Sequence, residues 1–189
     1  MADCKSVEMD ATNTFVALLR GINVGGKNKI AMTELASLFS SLGLDDIRTY
    51  IQSGNVVFRS PERDAGEISA TIEEAITAAF GVDPAVLLRR PMELEAIVDR
   101  HPYRTRTDLS KLHVVFLDHT PAASAAAVLD PGRSPPDEFT LHGREIYLHL
   151  PHGAGRSKLT IDYFERRLGV RATARNWNTV RKLLELAQS

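Results

Sequence analysis

Residues 48–58 read Arg48-Thr49-Tyr50-Ile51-Gln52-Ser53-Gly54-Asn55-Val56-Val57-Phe58 and decide the fold. With Ile47 ahead of them, Ile47, Thr49 and Ile51 alternate with polar neighbours. Ser53, Gly54 and Asn55 then interrupt the pattern, and Val56, Val57 and Phe58 resume it as an apolar run. That is a β-hairpin signal, because Gly and Asn tolerate the positive φ that a tight reversal needs. A two-residue-scale reversal pairs its strands antiparallel, whereas a parallel pair needs a long crossover.

Working outward, residues 14–20 form a short apolar strand, and Gly21, Gly25 and Gly26 mark an extended loop after it. Met32, Leu35, Leu38, Phe39 and Leu42 recur at helical spacing, with Glu34 in the first turn and Gly43 placed to end the helix. Beyond the hairpin, Asp64 with Glu67 resembles a capping box ahead of the stripe Ile68, Ile72, Ile76 and Phe80, and residues 86–88 give a fourth strand. The order is strand, helix, strand, strand, helix, strand.

The second half repeats it. Residues 112–118 read as a strand, 121–129 as an Ala-rich helix opened by Pro121, and 130–136 as a mobile loop. Phe139 and Leu141, then Ile146, Leu148 and Leu150, flank His142 and Gly143 as a second hairpin. A helix over 157–168 with Ser157 as its N-cap, a strand over 170–174 and a last helix over 178–186 capped by Asn178 complete the chain. The expected class is α+β, with two ferredoxin-like (βαββαβ) halves, antiparallel sheets and a C-terminal helix. The expected divisions are a flexible tail at 1–13, a first subdomain at 14–90, a connector at 91–110 and a second subdomain with the last helix at 111–189.

Composition narrows the function classes. The chain has 189 residues, 43% of them apolar, which suits a packed core. No apolar run approaches a membrane span, and residues 1–13 lack the order of a signal peptide. Cys4 is the sole cysteine, so intrachain disulfides and cysteine-based metal or redox motifs are excluded, and a reducing, cytoplasmic setting is expected. The net charge of −1 argues against bulk electrostatic coating of nucleic acid or anionic membrane. From Gly153 onward the chain is nonetheless locally basic, through residues such as Arg156, Lys158, Arg166, Arg167 and Arg175. A solvated helix face accounts for that as readily as a ligand does.

The loops carry what chemistry there is. Gly21-Ile22-Asn23-Val24-Gly25-Gly26-Lys27-Asn28 fits the phosphate-loop signature G-x-x-x-x-G-K except at its last position, where Asn28 replaces the hydroxyl residue that holds magnesium. Residues 114–118 imitate the second nucleotide-hydrolase motif, but that fold needs a parallel sheet and the hairpins demand an antiparallel one. What remains is an anion holder: glycines that let N–H groups converge, a lysine, and a following helix N-terminus.

A second glycine loop, Pro151-His152-Gly153-Ala154-Gly155, leads into Arg156-Ser157-Lys158. A third polar stretch, Arg175-Asn176-Trp177-Asn178, joins the last strand to the last helix, where Trp177 is expected to anchor in the core. The residues assigned to anion or phosphate contact are Arg20, Asn23, Lys27, Asn28 and Lys29, then Ser53 and Asn55, then Arg156, Ser157 and Lys158, and finally Arg175 and Asn176. Gln52, Ser53 and Asn55 serve equally well to shape their hairpin. The six histidines show no ligand spacing, so no metal and no cofactor is expected, although His101 beside Pro102 and Tyr103 merits inspection.

The blocks 17–30 (ALLRGINVGGKNKI), 48–58 (RTYIQSGNVVF), 157–159 (SKL) and 175–183 (RNWNTVRKL) resemble, in order, the signature blocks of the mainly bacterial domain of unknown function family 1697. The resemblance implies an α+β fold with two related ferredoxin-like halves and carries no catalytic residue. Three functions compete. The first is binding of a phosphorylated small molecule or nucleotide through the glycine loops. The second, ranked behind it, is RNA or single-stranded DNA binding, for which Tyr50 and Phe58 stand almost alone as sheet aromatics. The third is a purely structural role for the loops. No Ser-His-Asp order, paired carboxylates or metal set supports a reaction, and no oligomeric state follows from the sequence.

Overall fold

The computed structural model describes residues 13–23 and 28–189. Most of the expected N-terminal tail and the Val24, Gly25, Gly26 and Lys27 positions of the first glycine loop lie outside the described residues. The chain divides into two units, one comprising residues through Glu93 together with Leu183–Ser189, the other Leu94–Lys182. The division falls inside the expected connector at one end and inside the last helix at the other.

The first unit contains β1 (Thr14–Leu19), α1 (Met32–Ser41), β2 (Asp45–Tyr50), β3 (Asn55–Arg59), α2 (Ala65–Phe80) and β4 (Val86–Arg89). Its antiparallel sheet has the order β2-β3-β1-β4, with β1 between β3 and β4. All six residues of β1 are buried, which agrees with Phe15–Leu19 reading as an unbroken apolar run rather than an alternation. Phe15, Ala17, Leu19, Val56, Phe58, Val86 and Leu88 meet Leu35 and Phe39 of α1 and Ile68, Ile72 and Ile76 of α2. The Phe58 ring lies 5.8 Å from that of Phe15 and 5.4 Å, edge-on, from that of Phe39. The edge strand β2 is kept polar and irregular by Asp45, Asp46 and Arg48, with its register broken between Asp45 and Arg48, features that discourage edge-to-edge pairing.

Helix α2 starts where the sequence predicts. The Asp64 carboxylate accepts from Gly66 N and Glu67 N, while Asp64's own N–H goes to Glu62 Oε1 rather than to Glu67, so the capping box is half formed. Gly81 closes the helix at φ 65°.

The second unit takes over within α3 (Pro91–Arg100) and contains β5 (Leu112–Leu117), α4 (Ala123–Ala126), β6 (Glu138–His142), β7 (Glu145–His149), α5 (Ile161–Leu168), β8 (Ala172–Asn176) and the first half of α6 (Trp177–Gln188). The order β6-β7-β5-β8 repeats that of the first sheet position for position. Val16 lies opposite Val57 and Arg89, and Val114 lies opposite Tyr147 and Arg175, so Arg89 and Arg175 occupy equivalent places. Both are buried, and each donates Nη1 to the carbonyl of the residue before it, Leu88 or Ala174, at 2.9 Å. The α+β class and the ferredoxin-like order of both halves are therefore as the sequence indicates.

Three local expectations change. The Ala-rich helix opened by Pro121 shrinks to four residues, because Ala122 offers no side-chain cap and the turn tightens through Val128 N to Ala125 O and Leu129 N to Ala126 O. The helix expected from Ser157 begins at Ile161, with Thr160 Oγ1 accepting from Tyr163 N; a 3-10 turn at Ala154–Arg156 uses the preceding residues. The loop at 130–136, expected to be mobile, is tied by Gly132 N and Arg133 N to Asp130 and by Ser134 Oγ to Asp137. No helix among the described residues is long and apolar enough to cross a membrane.

Gly54 is the tightest point of the first unit. Its φ is +70°, and a Cβ there would lie 2.7 Å from Ile22 Cδ1 and 2.9 Å from Leu19 Cβ. Gly54→Ala is expected to destabilise the protein by about 2–4 kcal/mol, adding positive-φ strain to overpacking against side chains rooted in β1 and its exit. Chemical denaturation read by circular dichroism measures the difference.

Candidate functional site

The first glycine loop is framed by its own asparagines. Asn23 and Asn28 both sit in the left-handed region, at φ 54° and 49°. Asn23 N donates to Asn28 O, and Asn28 Nδ2 donates to Gly21 O at 2.9 Å. The Asn23 amide accepts from Ile30 N and donates to Ile30 O and to Gln52 O, 2.8–2.9 Å in each case. Its donors and its oxygen are thus engaged in joining the two ends of the loop to the hairpin turn. Ile22, 1% exposed, anchors the loop beneath Gly54. The hairpin turn is locked likewise: Asn55, fully buried, donates to Tyr50 O and Ser53 Oγ.

Beside this frame lies a hollow of about 390 Å³ lined by Asn23, Lys29, Ile30, Ala31 and Gln52. It opens at the start of α1, whose N-cap position is Ala31 and has no side-chain cap among the described residues. A helix start without a cap keeps backbone N–H groups and the positive end of the helix dipole available. Lys29 and Asn28 are exposed, and Arg20 is half-buried. Ile51, at the hairpin tip, is 50% exposed and held at φ 48°, a conformation that costs a β-branched residue roughly 1–3 kcal/mol.

In the second unit the predicted residues serve different ends. Ser157 Oγ accepts from Leu159 N instead of capping α5, and Arg156 and Lys158 are exposed. Arg156 lines a hollow of about 160 Å³ with His152 and Ser134 to Asp137. Arg175 is buried, donates to Thr173 Oγ1 and Ala174 O, and has its pKa brought down to about 10 by loss of solvent. Asn176, not Asn178, caps α6: its Oδ1 accepts from Asn178 N while its Nδ2 donates to Ser110 O. Trp177 is 3% exposed and anchors α6 as the sequence predicts.

A cationic cleft appears that no motif announces. Arg133, Arg166 and Arg167 line a hollow of about 540 Å³ with Thr160, Asp162 and Tyr163. Arg166 and Arg167 are visible in the sequence as part of its basic C-terminal stretch, but Arg133 comes from the proline loop, and only folding places it against α5.

His101 lies in closed core rather than in a cleft. It is 1% exposed, its ring 4.3 Å from that of Trp177 and 5.1 Å from that of Tyr147. Nδ1 accepts from Tyr103 N, while Nε2 and the Tyr147 hydroxyl are buried without a hydrogen-bond partner among the described residues. Burial brings the His101 pKa down to about 4 and pushes Tyr147 up to about 12. Among the described residues no three of His, Cys, Asp or Glu gather as a metal cluster.

Comparison with known proteins gives a family and a fold. Residues 12–147 match the family model described as Protein of unknown function (DUF1697). The conserved bacterial protein SP0830 from Streptococcus pneumoniae superposes with a TM-score of 0.73 at 22% identity, over 94% of this chain and 99% of that one. No curated protein matches the chain.

Neutral His101 has a consequence for stability. Its pKa lies below the ordinary 6.5, so between pH 6.5 and about 4 the unfolded chain takes up a proton that the folded chain refuses. The contribution is fully present above that window and is lost as pH falls through it, by up to roughly 3 kcal/mol. Half-buried His113, lowered by the same cause, acts in the same sense. Melting temperatures of wild type and His101→Phe between pH 7.5 and 4.5 are expected to show a shallower decline in the variant.

Proposed function

The chain belongs to the DUF1697 family, a membership that brings no activity with it, and from its own geometry we propose that it binds a phosphorylated small molecule or nucleotide at the first glycine loop. One observation carries the reading: among the described residues helix α1 begins without a side-chain cap, at a hollow bordered by the exposed Lys29. A phosphate oxygen there accepts from backbone N–H groups, meets the positive end of the helix and pairs with a lysine, the arrangement that suits an anion.

The asparagine frame supports the same reading from another side. Asn23, Asn28 and Asn55 act as struts that hold the described ends of the loop against the hairpin turn, so a ligand bound there loses little affinity to ordering those ends. Lys27 is assigned to the same ligand on its place in the phosphate-loop spacing. Arg156 and Lys158 are offered as contacts in the second unit. A cytoplasmic, bacterial setting fits the single cysteine and the family.

Nucleic acid ranks lower for a structural reason. Ferredoxin-like sheets bind RNA by stacking bases on exposed aromatics. Here Val16, Leu18, Val57 and Leu87, on the sheet face away from α1 and α2, are 0–2% exposed, and Phe58 is buried on the helical side.

The test is a titration with inorganic pyrophosphate at fixed ionic strength, followed by amide NMR. Resonances of Met32, Thr33 and Glu34 are expected to move in wild type, and Lys29→Ala is expected to weaken binding there about tenfold or more, as loss of a charge-assisted hydrogen bond does. Unmoved resonances at millimolar pyrophosphate, or equal affinity in the variant, refute the reading.

A further inference from the structure

The arginine cleft on α5 shows a degree of construction that a solvated helix face does not need. Arg166 and Arg167 alone have an ordinary explanation, since they lie in the last turn of α5 and complement the negative end of its dipole. Arg133 has none of that kind. It comes from the loop after α4, and its side chain is fixed from two sides.

Its Nε donates to Lys158 O at 3.0 Å, and its guanidinium lies 4.0 Å from the centre of the Tyr163 ring. The Tyr163 hydroxyl is in turn held by Asp130 N at 3.1 Å, and Tyr163 is buried. Ser134 completes the clamp: its Oγ accepts from Lys158 N and donates to the Asp137 carboxylate. Arg167 approaches the same ring, with 6.0 Å between guanidinium and ring centre. One aromatic side chain thus gathers two guanidinium groups whose charges repel, and Arg166 borders the same hollow.

We propose that this cleft is a second anion site, independent of the glycine loop, that takes a phosphate-bearing ligand between Arg133, Arg166 and Arg167. Three guanidinium groups face one carboxylate, Asp162, leaving a surplus of two positive charges that matches a phosphate monoester or a diphosphate. The planar fork of arginine suits paired phosphate oxygens, and stacking on Tyr163 presets the Arg133 plane so that little rotamer freedom is lost on binding. A hollow of about 540 Å³ has the volume of a small-molecule site.

The ligand used for the test is inorganic pyrophosphate, titrated at matched ionic strength into wild type, Arg133→Ala, Arg167→Ala, Arg133→Lys and Lys29→Ala. Pyrophosphate is expected to move the Arg133 side-chain Nε–H resonance and the amides of α5 in wild type. Either alanine variant is expected to weaken this site about tenfold or more, and Arg133→Lys is expected to fall between them and wild type because it keeps charge but not the fork. Lys29→Ala should leave it unchanged, which separates its fate from that of the glycine loop. The substituted arginines are exposed, and an unaltered melting temperature verifies that each variant is folded. The proposal is overturned if α5 and Arg133 do not respond in wild type, if the alanine variants bind as wild type does, or if sodium chloride at equal ionic strength produces the same shifts.

Discussion

The approach of the hairpin turn to the end of β1 governs the first unit. Gly54 brings its backbone against Leu19 and Ile22 with no room for a β-carbon, and Leu19 N donates to Gly54 O at 2.9 Å. That single approach sets the register between β1 and β3 and fixes the point at which the chain leaves the sheet. Everything proposed for the glycine loop hangs from it. Asn23 can reach Gln52 O only because the turn lies against the loop's root, and the hollow beside Lys29 is the space the two segments enclose before α1 begins.

The second unit repeats the ladder and its closing hydrogen bond, with Leu117 N donating to Arg144 O at 2.8 Å, but not the close approach of a glycine. The arginines Arg89 and Arg175 sit at matching register positions and share a hydrogen bond to the preceding carbonyl, yet the loops that follow the first strand of each sheet differ. A buried guanidinium is costly unless its donors are met, and each unit keeps one at the matching place on the last strand of its sheet. The diverged parts are the loops, where each unit builds its own polar apparatus: asparagine struts in one, an arginine stacked on tyrosine in the other.

The parts of the fold that were legible in the sequence are those governed by short-range periodicity. The hairpin at residues 48–58 shows because alternation and turn chemistry coincide, and α2 shows because Asp64, an isoleucine stripe and Gly81 agree with one another. Ser157 misled because a serine can bond a backbone N–H two residues ahead as well as cap a helix, and here the local turn wins. The Ala-rich segment after Pro121 had propensity but no side-chain cap, and four helical residues are what survives. At the candidate sites, residue types were readable and roles were not. The bond from Asn23 to Gln52 O, far along the chain, could not be read from residue types alone. Arg133 looks like loop solvent until Tyr163 lies under it.

The composition of the first unit bears on the order in which the molecule is made. Leu183–Ser189 belongs to that unit, and Ser189 Oγ accepts a hydrogen bond from Arg48 of the edge strand β2. A ribosome releases β1 through β4 first, then the whole of Leu94–Lys182, and only then the segment that completes the earlier unit. Domains emerging in sequence ordinarily finish in the order of synthesis. In this chain all four strands of the first sheet precede the second unit, while the helical segment that joins the first unit is translated only after it.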